Sequence, residues 1–193
     1  MKRVALFGGT FDPIHRGHQF IAERALEQCD LDGVVFLPCR QSPHKLSVET
    51  TGGEDRLAMV RLGIAGFSKM WASDWELLRD GASYSWQAAE HWRQEVLDEK
   101  DKLYWIVGMD QWASLSKWAR VDYLSDLVTF IVFPRHGEAP EAALGRDAVF
   151  LPDAKAASAT QIRTRASKGL SIEEYVEGQV AAYIHEKGLY RDA

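Results

Sequence analysis

The sequence predicts an α/β fold: a single doubly wound, Rossmann-like parallel sheet with helices on both faces. Three observations carry this. The apolar runs Val4–Phe7 and Leu103–Val107 are unbroken, Leu127–Phe133 is interrupted only by Thr129, and each stops at Gly or Pro, as strands buried on both faces do. Between such runs, apolar residues recur at helical spacing. The chain also opens with strand, helix and strand inside its first 38 residues, a βαβ unit whose crossover is right-handed.

Taken in order, Val4-Ala5-Leu6-Phe7 forms the first strand and ends at Gly8-Gly9. Phe20, Ile21, Ala25 and Leu26 give one apolar face to a helix from His18 to about Gln28. Val34–Leu37 is a second buried strand, closed by Pro38, and a loop from Arg40 to Gly53 follows. Leu57, Met59, Val60 and Ile64 mark a helix from about Glu54 to Gly63. Met70–Ser73 is a weak strand, Trp86–Leu97 a helix, and Leu103–Val107 a strong strand ending at Gly108. Leu127–Phe133 and the short Val149–Leu151 complete the strands, each followed by a proline. Ser158 caps a helix to about Lys168, and Val176–Lys187 forms the last one. No repeat or linker divides the chain, so residues 1–193 are expected to form one domain.

The composition bounds the function. With 193 residues and 46% hydrophobic content, the chain can bury roughly 70% of its unfolded surface without staples. A net charge of −5 opposes coating of nucleic acid by charge alone. Cys29 and Cys39 are too few for a disulfide framework. No apolar stretch reaches the ~20 residues of a membrane span, and the N-terminal run is too short for a signal peptide. A cytoplasmic protein with reduced thiols is expected, and a homo-oligomer is compatible with the sequence.

Ligands of doubly wound sheets bind at the carboxyl ends of the strands, where the strand order reverses. The loop at that place is Gly8-Gly9-Thr10-Phe11-Asp12-Pro13-Ile14-His15-Arg16-Gly17-His18. Its glycines admit close backbone approach, and the helix that follows directs free N–H groups and its positive dipole end at the loop. His15 and His18, three apart, can face one anion. Neither G-x-G-x-x-G nor G-x-x-x-x-G-K-[ST] is present, which weakens hydride-transfer and Walker-type readings. A zinc site lacks a third ligand at metal spacing, so no protein-held metal is expected.

GGTFDPIHRGH resembles the signature loop of the HxGH nucleotidyltransferases, and in this fuller form that of the bacterial nicotinate-nucleotide adenylyltransferases. The likeness continues through Ser42–Lys45, Gly81–Ser85, Gly108–Asp110, Leu115–Trp118, Arg135–Gly137 and Ser158–Arg163. It implies adenylyl transfer from ATP to nicotinate mononucleotide, yielding deamido-NAD and pyrophosphate by direct in-line attack, with Mg²⁺ delivered on ATP. It further implies that His15, His18 and Arg163 are catalytic. Gly8, Gly9, Thr10, Phe11, Gly108, Asp110, Ser158 and Thr160 would join them in binding ATP. Thr10, Phe11, His44, Lys45, Tyr84, Ser85, Trp118 and Arg135 would hold the mononucleotide, Trp118 by stacking on its ring. Asp12 braces the loop rather than reacts.

The chain departs from the family pattern at several positions. Ser85 stands for threonine, Gln87 for aspartate and Ala88 for a second threonine, while Ala159 deletes a hydroxyl from the ISSTxIR-like segment. Two alternatives come with the resemblance. One is another HxGH enzyme, such as pantetheine-phosphate adenylyltransferase. The other is a nucleotide-binding regulator without catalysis.

Overall fold

The structure, a computed structural model, describes residues 1–43, 50–133, 147–151 and 158–191. Its strands are β1 (Arg3–Gly9), β2 (Gly33–Pro38), β3 (Met70–Ala72), β4 (Lys102–Gly108), β5 (Thr129–Phe133) and β6 (Ala148–Phe150). They form one sheet of order β3-β2-β1-β4-β5-β6, parallel at every pairing. The order reverses between β1 and β4, so the carboxyl ends of these strands flank the crevice.

Burial alternates along β1. Ala5 and Phe7 enter one apolar cluster, whereas Leu6 enters the other. The first cluster packs under α1 (Arg16–Gln28), α2 (Gly53–Ile64), α6 (Ala159–Ser167) and α7 (Gly178–Lys187). The second packs under α3 (Ser85–His91), α4 (Met109–Ala113) and α5 (Val121–Leu127). Helices cover both faces, which is why the strands read as continuous apolar runs.

Four of the differences from the sequence reading have a local cause. Helix α1 begins at Arg16, earlier than expected, because His15 serves as its cap. Helix α3 stops at His91 and widens into a π-turn over Trp92–Val96, where the Leu97 N–H donates to the Trp92 carbonyl at 3.0 Å. The run from Leu127 to Phe133 is not all strand, since Leu127 ends α5 and Val128 is the extended link to β5. Ser158 does precede α6, but its side chain makes no capping bond.

Candidate active site

The first loop leaves β1 and turns at Phe11, whose φ of 49° is left-handed. That conformation costs a non-glycine residue on the order of 1–2 kcal/mol, and burial holds it, since Phe11 is 3% exposed. Its ring fills the space beside Gly9, where an added Cβ would come within 2.9 Å of it. Gly8 likewise makes room for the Trp105 ring, also at 2.9 Å. Both glycines therefore serve the packing beneath the loop, and Phe11 can offer a ligand only its backbone.

His15 and His18 are tied to each other. The His18 N–H donates to His15 Nδ1 and the His15 N–H to His18 Nδ1, each at 3.3 Å. This is a capping box built from two imidazoles. The rings stack with centroids 3.6 Å apart and planes 17° from parallel. His18 also rests edge-on to Phe11 and Phe7, at 5.0 Å and 5.9 Å. A neutral imidazole that accepts at Nδ1 carries its proton on Nε2. The box thus makes both histidines Nε2–H donors. The helix amides are less available than the sequence suggested: Arg16 N–H donates to the Tyr175 carbonyl at 2.8 Å, and His18 N–H is engaged at its cap.

Asp12 is buried and doubly bonded. Its carboxylate accepts from Thr51 N–H at 3.1 Å and from the Tyr190 hydroxyl at 2.7 Å. Burial, and then the Asp12 charge, hold the Tyr190 phenol far above the ordinary tyrosine range, so Tyr190 stays a donor. The Asp12 carbonyl accepts from Arg163 Nη1 at 2.7 Å, while Arg163 Nη2 donates to Thr160 Oγ1 at 3.3 Å. Arg163 is thereby brought to the first loop from α6, with Ser158 and Thr160 exposed beside it.

Arg56 is the member that sequence reasoning missed. At 2% exposure, its guanidinium donates to three carbonyls: Thr10 at 2.7 Å, Cys39 at 2.8 Å and Thr51 at 2.8 Å. One planar fork thus ties the ends of β1 and β2 to the start of α2. Its signal was position alone, four residues before Val60 on the buried face of α2. The Cys39 thiol is pushed up, mainly by burial, which removes it as a nucleophile.

On the other side of the crevice, Gly108 ends β4 and its N–H donates to Gln111 Oε1 at 3.1 Å. Asp110 is exposed on the first turn of α4. Trp118 is half-buried after the 3₁₀ turn Leu115–Lys117. Tyr84, 38% exposed, precedes Ser85 at the start of α3. The Ser83 N–H is already given to the Gln41 carbonyl at 2.9 Å. Ala88 is fully buried in the second cluster, so its departure from the family pattern is one of packing. His44, Lys45 and Arg135 lie outside the described residues. No group of three or more His, Cys, Asp or Glu that could hold a metal occurs among the described residues. No helix among them is long and apolar enough to cross a membrane.

Comparison with known proteins agrees with this geometry. The family model described as "Cytidylyltransferase-like" matches residues 6–165. A Geobacillus kaustophilus protein named "Probable nicotinate-nucleotide adenylyltransferase" is 39% identical, over 98% of this chain and 87% of its own. A protein of the same name from Shouchella clausii is 37% identical, over 100% of this chain and 98% of its own. In fold, the chain superposes on a Plasmodium falciparum nicotinic acid mononucleotide adenylyltransferase complexed with NaAD. The TM-score is 0.82 at 18% identity, covering 100% of this chain and 99% of that one. The chain belongs to the nicotinate-nucleotide adenylyltransferase family, within the cytidylyltransferase-like nucleotidyltransferases.

Proposed function

We propose that the chain transfers the adenylyl group of ATP to nicotinate mononucleotide, with the residues around the first loop in the following roles. The acceptor's 5′-phosphate oxygen attacks the α-phosphorus. The bond from that phosphorus to the bridging oxygen breaks, and pyrophosphate leaves with the electron pair. Such a reaction needs alignment and charge neutralisation more than a protein nucleophile. The observation that carries the reading is the reciprocal cap of His15 and His18, which fixes two Nε2–H donors side by side. These suit the oxygens on which charge develops. Arg163 adds a permanent charge, and Ser158 and Thr160 add hydroxyls for the terminal phosphates.

Gly8, Gly9, Thr10 and Phe11 supply backbone to the nucleotides, and Gly108 and Asp110 lie by the adenosine. Trp118 stacks on the pyridine ring in this reading, and Tyr84 and Ser85 also belong to the mononucleotide. Lys45, His44 and Arg135 belong to the acceptor phosphate in this reading. Mg²⁺ arrives on ATP and keeps most of its waters, because a hard cation needs oxygen ligands that the phosphates themselves provide. The two buried thiols suit a reducing, cytoplasmic setting.

A pyrophosphate-release assay tests the reading. With ATP, nicotinate mononucleotide should support turnover, EDTA should abolish it, and added Mg²⁺ should restore it. Release with phosphopantetheine but not with the mononucleotide would overturn the acceptor assignment.

A further inference from the structure

Arg120 is an exposed residue that the chemistry above leaves unused. Its φ of 52° and ψ of 39° are left-handed, a conformation that favours glycine. It stands two residues after Trp118 and directly before α5. Its carbonyl closes the first turn of that helix, accepting from the Leu124 N–H at 3.0 Å.

The side chain lies in the angle between two rings. The guanidinium carbon is 4.3 Å from the Trp86 ring centroid and 4.3 Å from that of Tyr123. The two rings meet edge to face, 6.3 Å apart and 63° from parallel. A guanidinium is planar, permanently charged and weakly hydrated, so it binds ring faces even where its edges reach water. The Tyr123 ring is held in turn by its hydroxyl, which donates to Glu90 Oε1 at 2.6 Å. Trp86 and Glu90 belong to α3 and Tyr123 to α5, and Trp86 directly follows Ser85.

We propose that Arg120 is a positioning residue for the mononucleotide pocket. Its guanidinium fastens the 118–120 turn to α3, and so fixes the spacing between Trp118 on one arm and Tyr84-Ser85 on the other. The inference rests on the reading that these three residues hold the mononucleotide.

Neither arm fixes that spacing alone. α3 and α5 have seven residues each, too few to be stable without tertiary packing. Ala88, Ala89 and Leu124 are buried in the second cluster and hold the two helices on the sheet. Trp86 and Trp118 only pack against its rim, both partly buried, and there the guanidinium bridges from one helix to the other. The ATP residues of the proposed reading lie on the first loop, the end of β4, α4 and α6, outside the cluster of Arg120, Trp86, Tyr123 and Glu90. The effect of the anchor should therefore fall on the acceptor.

Steady-state pyrophosphate release tests this, each substrate being varied with the other saturating. Arg120→Ala removes an exposed side chain without opening the core and should keep the fold. It should raise KM for nicotinate mononucleotide about fivefold or more, leaving kcat and KM for ATP within about twofold. Arg120→Lys should recover part of the loss, since an ammonium still binds a ring face. Arg120→Gly, which suits the left-handed backbone without strain, should fare no better than alanine. Combined with Trp86→Leu, Arg120→Ala should cost less than the product of the two single losses. Full recovery in Arg120→Gly, lysine no better than alanine, or an equal rise in both KM values overturns the inference. Trp118→Ala keeps it apart from the acceptor reading. Where Trp118→Ala raises KM for the mononucleotide and Arg120→Ala does not, the inference falls and the reading stands. A rise in Arg120→Ala alone also overturns it, since the anchor would not act through Trp118. No rise in either overturns both.

Discussion

His15 and His18 cap α1 and, in the proposed reading, donate to phosphate, and their variants should separate the two. Removing an Nε2–H donor from the phosphates should cost at least ~100-fold in kcat, as for one lost transition-state contact. Each alanine also opens the capping box, so a further loss of about 1 kcal/mol in stability should appear in urea melts. Near-normal turnover of either variant at saturating substrate would remove that histidine from catalysis. Tyr190→Phe should behave differently. It strips the Tyr190 hydroxyl, which donates beside Thr51 N–H, from the buried Asp12 carboxylate, and should destabilise by about 1–3 kcal/mol. The loss of turnover should be smaller than for His18→Ala, since no group aimed at phosphate is deleted.

The ends of β1 and β2 are set by a single helix residue, and Arg56→Met is the substitution that exposes it. Methionine keeps much of the volume yet leaves the carbonyls of Thr10, Cys39 and Thr51 without their donor. A loss of roughly 3–5 kcal/mol should follow, with KM rising for both substrates because the first loop loses its floor. Unchanged denaturation midpoints would contradict this. Elements were legible where burial is uniform. β1, β2 and β4 announce themselves as unbroken apolar runs, and the residues ending them lead straight to the crevice. The Leu127–Phe133 run misled because the last apolar turn of α5 and the start of β5 are chemically continuous, and only the backbone angles of Val128 divide them. α4, the 3₁₀ turn and α5 are too short to show a period. His15 and His18 were legible from spacing, but their mutual capping was not. Arg56, Glu76 and Tyr190 were invisible for another reason. A charged or phenolic residue in a polar stretch reads as solvated, and carbonyl partners carry no sequence signature.

At the scale of the whole molecule, Glu76 couples stability to pH. Its carboxyl shifts from an ordinary 4.5 up to about 7 on folding, so between those values the folded protein binds more protons than the unfolded one. Stability from this group is fully present at low pH and is lost as pH rises through that window, by on the order of 3 kcal/mol. Melting temperatures should therefore favour Glu76→Gln over the unaltered protein increasingly from about pH 5 to about pH 8. A constant difference would show that the acid is not titrating there. The clamps on the first loop have a consequence for biosynthesis. Arg163 reaches the Asp12 carbonyl across 151 residues and Tyr190 reaches the Asp12 carboxylate across 178, whereas the last strand is finished at Phe150. The ribosome delivers the first loop long before its fasteners. A nascent chain can thus pair the six described strands while the first loop still lacks both fasteners, which form only once residues 163 and 190 have left the exit tunnel.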